Sequence, residues 1–70
     1  MNATKTLYII RHDCRGRWTV RAADNRTVGR GGPDGVMDVR RQECQERYES
    51  DALAIARAEE LANQYTQIAG

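Results

Sequence analysis

The 70-residue sequence has little cysteine and no long apolar run. Cys14 and Cys44 are too few to cross-link a secreted mini-protein, and they can form a disulfide only if the fold brings them together. The N-terminal residues lack the apolar stretch of a signal peptide, and no segment approaches the roughly 20 apolar residues of a membrane span. We therefore expect a cytoplasmic protein with reduced thiols and no membrane association.

Residues suited to metal binding or catalysis are also scarce. His12, the single histidine, lies near Asp13 and Cys14, but with Cys44 far along the chain the set lacks the two closely spaced ligand pairs of common structural zinc sites. Cys14 beside His12 and several arginines invites interpretation as a nucleophile, since nearby cations lower a thiol pKa. A second histidine, a serine elbow and a phosphate-binding loop are absent from the sequence. We predict a non-enzymatic protein that holds no metal or cofactor.

The C-terminal residues 49–68 have the clearest helical period of the sequence. Apolar residues recur there at three- and four-residue steps: Ala54, Ile55, Ala58, Leu61, Ala62, Tyr65 and Ile68. Ser50 is a suitable N-cap, and Asp51 places negative charge at the positive end of the helix dipole. Because the apolar face is mostly alanine, the helix can approach a partner closely, but the large core side chains must come from upstream.

The upstream segments have the alternation and composition of strands. We predict strands at residues 5–13, 18–23 and 26–30, with turns at 14–17 and 24–25. Alternation is clearest in the second strand, where Trp18 and Val20 share one face and Arg17 and Arg21 share the other.

The remaining residues are assigned less directly. Residues 1–4 are predicted to be a loose terminus, and the glycine-rich segment 29–38 to be a flexible loop. Residues 36–48 fit either a helix or a strand, and we favour a strand for the part that runs into Tyr48. The chain is thus predicted to be a single small α+β domain, residues 1–70, in which an antiparallel sheet of three or four strands carries the C-terminal helix on one face.

Three sequence stretches carry a resemblance to known families: YIIRHD, GRWTV and RYESDALAIARAEELA. The order of these stretches resembles a small uncharacterised family of bacterial and phage proteins. The matching positions are Trp18, Val20, Tyr48, Ala54, Ala58 and Ala62. The resemblance implies a three-stranded antiparallel sheet with one C-terminal helix, and it carries no established activity. More loosely, the chain resembles the AP2-like arm-binding domains of phage integrases, which lay a similar sheet in the DNA major groove. The segment 29–46 is longer than the short strand-to-helix connection that this pattern predicts.

Arginine is the most informative residue type in the sequence, with ten arginines and one lysine against ten acidic residues. Residues 1–33 contain seven of the basic residues but only Asp13 and Asp24 of the acids. Arginine binds phosphate or carboxylate in bidentate fashion. We therefore predict a binding surface formed by Arg11, Arg15, Arg17, Arg21, Arg26 and Arg30. The alternative is an ordinary solvated face.

Two functions compete for this surface, and a third hypothesis needs no ligand. We favour a protein-binding module, a phage or mobile-element accessory factor that occupies a surface of a larger protein or nucleoprotein complex. Its sharpest form is an inhibitor of the anti-CRISPR kind. The alternative is a sheet-type DNA-binding module that uses Arg11, Arg15, Arg17 and Arg21. It is favoured if these arginines stand free on one face, whereas their neutralisation by Glu43, Glu46 or Asp13 favours a protein partner. The third is a homodimer that buries Leu53 and Ala56, or the outer sides of Leu7 and Ile9.

Overall fold

A computed structural model describes residues 5–69 of the chain. Within that part, four strands precede one helix: β1 (Thr6–Asp13), β2 (Trp18–Ala22), β3 (Thr27–Gly31), β4 (Arg41–Tyr48) and α1 (Asp51–Ala69). The strands form one antiparallel sheet in the order β3-β2-β1-β4, so β1 is central and both of its neighbours pair with it. The predicted α+β class is confirmed, with four strands and the C-terminal helix packed on the sheet.

The fourth strand resolves the segment for which the sequence allowed two structures. Residues 41–48 pair with β1 along its whole length, from Thr6 opposite Tyr48 to Asp13 opposite Arg41. Strand β3 runs to Gly31, so the irregular connection occupies residues 32–40, slightly later than the predicted loop at 29–38. The prediction for residues 1–4 falls outside the described part of the chain.

Buried side chains fill the face of the sheet that α1 covers. In the two central strands they form three directly opposed pairs: Tyr8 with Ala22, Ile10 with Val20, and His12 with Trp18. Because successive side chains of a strand point to opposite faces, this register places these six residues together beneath the helix.

Helix α1 closes the core with small residues. Ala54, Ala58 and Ala62 are at most 2% exposed, and their four-residue spacing places them on one side of the helix. Ser50 caps the helix as predicted, since its Oγ accepts a hydrogen bond from the backbone N–H of Leu53 at 3.3 Å. Helical spacing predicts that Ile68 lies on the same packed face, and this is wrong, because Ile68 is 83% exposed. Ala62 is the last fully buried residue of α1, beyond which the helix is half-buried or exposed.

Glycines in β3 make room for the indole ring of Trp18. A Cβ atom on Gly31 would lie 2.6 Å from that ring, and one on Gly29 would lie 3.0 Å from the side chain of Ile55. The pairing of β2 with β3 shifts register between Val20 and Arg21, which is a β-bulge. The edge strand β3 is therefore short and irregular.

Candidate functional site

The face of the sheet opposite α1 carries most of the chain's arginines. Alternation along the strands places on this side the residues Leu7, Ile9 and Arg11 of β1, with Arg21 opposite Ile9 and Arg47 opposite Leu7. We call this surface the open face. Its arginines are Arg11, Arg21, Arg30, Arg41 and Arg47 of the strands, together with Arg17, which lines a hollow beside Arg11 and Arg41.

Ion pairing divides the arginines into two groups. Within residues 5–69, five arginines lie within 4.0 Å of a carboxylate: Arg11, Arg15, Arg26, Arg40 and Arg57. The other five have no such partner among the described residues: Arg17, Arg21, Arg30, Arg41 and Arg47. All members of the second group belong to the open face, where Glu43, paired with Arg11, supplies negative charge. The open face is therefore strongly positive although the whole chain carries a formal net charge of only +1.

Two shallow hollows lie on the open face. The first, about 190 Å³, is at the centre of the sheet and is lined by Ile9, Arg11, Thr19, Val20, Arg21, Thr27 and Arg30. The second, about 390 Å³, lies between the sheet and the connection 32–40 and is lined by Arg11, Arg17, Thr19, Gly35, Val36, Met37 and Arg41. Guanidinium groups and threonine hydroxyls are the polar groups of the first hollow, and both are hydrogen-bond donors suited to anions.

Arg21 lies at the centre of this arrangement. Its Nε atom is buried from solvent and has no hydrogen-bond partner among the described residues. A buried donor without an acceptor is unfavourable by about 1–3 kcal/mol, and native proteins seldom leave one.

Asp13 holds the turn that supports the open face. The side chain is fully buried, and its carboxylate accepts hydrogen bonds from the backbone N–H groups of Arg15 and Arg17, each at 2.9 Å, and of Asp38 at 2.7 Å. Burial by itself raises the pKa of Asp13, but these three donors outweigh burial and leave the pKa below its ordinary value. The same carboxylate thus fixes the β1–β2 turn and ties down the connection 32–40.

A second contact positions Arg17 at the edge of the larger hollow. Its guanidinium donates a hydrogen bond to the backbone carbonyl of Pro33 at 2.6 Å. The connection therefore forms one wall of the hollow through backbone contacts, and the remaining donors of Arg17 stay available for an anion.

The structure separates the six arginines that the sequence analysis grouped together. Arg11, Arg17, Arg21 and Arg30 lie on the open face. Arg15 lies in the β1–β2 turn and pairs with Asp38 at 3.3 Å, whereas Arg26 pairs with Asp51 at 3.1 Å, at the start of α1.

Sequence reasoning left out Arg41 and Arg47. Both lie in β4, where arginine, glutamate and glutamine alternate with half-buried Cys44, Glu46 and Tyr48. The signal was the two-residue period of RQECQERY, which is weak because the covered side of this edge strand includes polar residues.

The residues considered for a metal or a nucleophile lie mainly on the helix side. His12 is buried and meets the ring of Tyr65 edge-on, with ring centroids 5.7 Å apart. Cys14 and Cys44 are free thiols. Burial raises the pKa of the Cys44 thiol, which opposes thiolate formation. Within residues 5–69, no three histidine, cysteine, aspartate or glutamate side chains are close enough to hold one metal ion.

The residues proposed for a dimer contact occupy two different surfaces. Leu53 is 51% exposed and Ala56 is exposed, both on the side of α1 away from the sheet. Leu7 and Ile9 are half-buried and lie among the arginines of the open face. Dimerisation through either surface stays a prediction.

Comparison with known proteins gives no assignment. No family model matches the chain, and neither a curated protein nor a solved structure matches it. The sheet-and-helix architecture implied by the phage-family resemblance is present, with a fourth strand, whereas membership of that family stays a prediction. Helix α1, the one helix within residues 5–69, is not long and apolar enough to cross a membrane.

Proposed function

We propose that this protein is a non-enzymatic nucleic-acid-binding module that holds the phosphate backbone against the open face of its sheet. The observation that carries this proposal is the placement of the unpaired arginines. Every arginine in residues 5–69 that lacks a carboxylate partner lies on the open face. Because α1 covers the other side of the sheet, most charged side chains of the strands lie on the open face in any case. What supports a ligand is that five arginines lie there without a carboxylate partner among the described residues, while the neighbouring Glu43 already pairs with Arg11.

Phosphate is the ligand group that best fits this surface. Free guanidinium groups bind phosphate oxygens in pairs, and the threonine hydroxyls of the first hollow add neutral donors. Arg21 and Arg30 both line that hollow, so a phosphate bound there meets two guanidinium groups that have no carboxylate partner among the described residues. Several phosphates in a row would engage the arginines of neighbouring strands together.

Segregation of charge supports the same function. On the helix side, Glu46 forms an ion pair with Arg57, and Asp51 forms one with Arg26. Glu59 and Glu60 are exposed on α1. A basic face on a nearly neutral protein orients the molecule toward a polyanion.

A protein-binding accessory factor is the second candidate. The Arg11–Glu43 pair offers both signs of charge, and half-buried Leu7 and Ile9 add apolar area beside it. Such a surface suits a protein partner in a larger complex, including an inhibitor of a nucleic-acid-targeting complex.

The test is binding of a fluorescent random-sequence DNA duplex, followed by anisotropy at about 50 mM and about 200 mM salt. If about five phosphates are neutralised, log affinity falls with log salt at a slope of about −4 to −5, so affinity drops by a few hundredfold across this range. Replacement of Arg21 or Arg30 by glutamine weakens binding and makes the slope shallower by about 1.

Arg26→Gln is the matched control, since it removes the same charge from an arginine that already pairs with Asp51 away from the open face. Its binding should stay close to that of the unaltered chain. Equal losses in Arg26→Gln and Arg21→Gln would contradict the proposed interface. Absence of binding at low salt would reject the nucleic-acid function and leave the protein-binding function in its place.

A further inference from the structure

Strand β4 forms a long, regular outer edge of the sheet. It has eight residues and pairs with β1 without a bulge. Within residues 5–69, no strand lies on its other side, and no hydrogen bond occupies its outward N–H and C=O groups. The opposite edge, β3, has five residues and is interrupted by a bulge. A long unpaired edge strand can pair with a strand of another chain, so β4 is the better candidate for such pairing.

The charges of β4 are complementary to the same strand running in the opposite direction. An antiparallel pair of identical strands has a two-fold axis, and directly opposed residues lie on the same face of the sheet. If Gln45 lies on that axis, Glu43 of each copy is opposite Arg47 of the other. Continuing the register by two residues places Arg41 opposite Glu49 of the second copy.

Neighbouring registers are less favourable. A slip that puts Cys44 on the axis places Arg41 opposite Arg47 of the second copy. The opposite slip puts Glu46 on the axis and places Glu43 opposite Glu49. Like charges directly opposed across a strand pair are destabilising, so the alternation of charge along β4 selects one register.

We propose that the chain forms a homodimer in which the β4 strands of two copies pair antiparallel about Gln45, giving one continuous eight-stranded sheet. Each Glu43 then lies between Arg11 of its own chain and Arg47 of the second copy. Such a pair aligns the two open faces on one side of the sheet and both helices on the other. The dimer does not depend on nucleic-acid binding, and it leaves Leu53 and Ala56 outside the interface. It gives Arg41 and Arg47 carboxylate partners, so within residues 5–69 of each copy Arg17, Arg21 and Arg30 remain the unpaired arginines of the open face.

The experiment measures molecular mass by sedimentation equilibrium from roughly 1 µM to roughly 1 mM for the unaltered chain and two charge reversals. Glu43→Arg and Arg47→Glu each create two like-charged pairs by symmetry, so each alone should weaken dimerisation by about tenfold or more. An equimolar mixture of the two variants restores both opposite-charge pairs in the heterodimer. The mixture should therefore regain the affinity that each variant alone loses.

Controls separate this interface from loss of fold and from other surfaces. An unfolded variant would not be rescued by mixing, and Arg30→Glu makes the same reversal on the opposite edge strand, where it should have no effect. The register is checked with Gln45→Cys in a chain carrying Cys44→Ser, because the introduced thiols of two copies would lie directly opposite each other at a separation that a disulfide can bridge. A cross-link through that position supports the proposal, and its absence under oxidation contradicts it.

The proposal is overturned if the unaltered chain stays monomeric over the whole range. It is also overturned if the chain dimerises but Arg47→Glu leaves the affinity unchanged. Disruption of the dimer by Leu53→Asp alone would assign the contact to α1 instead. Because dimerisation is measured without nucleic acid, its failure is distinguishable from failure of the proposed function.

Discussion

Asp13 shows how one side chain determines the local conformation on which the open face depends. Its carboxylate binds three backbone N–H groups from two separate segments, the β1–β2 turn and the connection 32–40. No neutral side chain of similar size can accept all three bonds, because the amide nitrogen of asparagine is a donor. We therefore regard the charge at this position as structural and separate from the arginine surface.

Replacement of Asp13 by alanine should lower the free energy of unfolding by roughly 2–3 kcal/mol at neutral pH, because buried backbone donors lose their acceptor. Since the pKa of Asp13 is lowered in the folded state, its contribution is present above the unfolded pKa of about 4 and is lost as pH falls through the folded value. Urea denaturation of the two proteins at pH 7 and near pH 3 measures both effects.

Asp24→Ala serves as the control for this substitution. Asp24 makes one comparable bond, to the backbone N–H of Arg26 at 3.1 Å, but in an exposed turn. Its loss should lower the free energy of unfolding by less than about 1 kcal/mol. A similar loss at both positions would show that burial of Asp13 is not the cause.

Helix α1 depends on small side chains at the contact with the sheet. Ala54 and Ala58 are fully buried, and the large core residues Tyr8, Ile10 and Val20 come from the strands. This division of size was visible in the sequence as an alanine stripe at helical spacing. The sequence did not show where the stripe stops, because periodicity continues to Ile68, whereas Ala62 is the last fully buried residue and Tyr65, in contact with His12, is only half-buried.

Ala58→Leu should lower the free energy of unfolding by about 1–3 kcal/mol, because the added atoms have no space against the sheet. Thermal unfolding followed by circular dichroism is the measurement. Ala56→Leu introduces the same side chain on the exposed side of α1 and should change stability by less than about 0.5 kcal/mol. Equal effects at the two positions would mean that helix propensity, and not packing, decides the outcome.

Over the whole molecule, ionisable groups make stability depend on pH in two steps. Burial, assisted by nearby Arg57, lowers the pKa of His12, so His12 stays neutral in the folded state at pH values where it is protonated in the unfolded chain. Stability should therefore fall as pH drops below about 6.5. The pKa values of Asp13, Asp38, Glu46 and Asp51 are also lowered, and their contribution is lost below about pH 4.

His12→Phe should remove the first of these steps and leave the second. Phenylalanine keeps an aromatic ring at the contact with Tyr65 but cannot take up a proton. Chemical denaturation at pH 7.5 and pH 5 compares the two chains, and the variant should lose less stability between them. The same loss in both would assign the first step to another group.

The sequence by itself determined the elements whose pattern is strong and local. Alternation predicted β1 and β2, and helical spacing predicted α1. Arg21 of β2 and the preceding Arg17 were correctly placed on the side away from the core. These features depend on residues a few positions apart, where the two-residue period of strands and the 3.6-residue period of helices act directly.

Only the tertiary structure decided which arginines lack partners and which surface they share. Strand β4 pairs with β1 across a long separation in sequence, and that pairing brings Arg41 and Arg47 to the open face. The same pairing places Glu43 opposite Arg11, with which it forms an ion pair. Arg15 and Arg26 were neutralised by Asp38 and Asp51, which lie far from them in the chain. Ion pairing depends on distance in space, and a linear pattern does not contain that distance until the register of every strand is fixed.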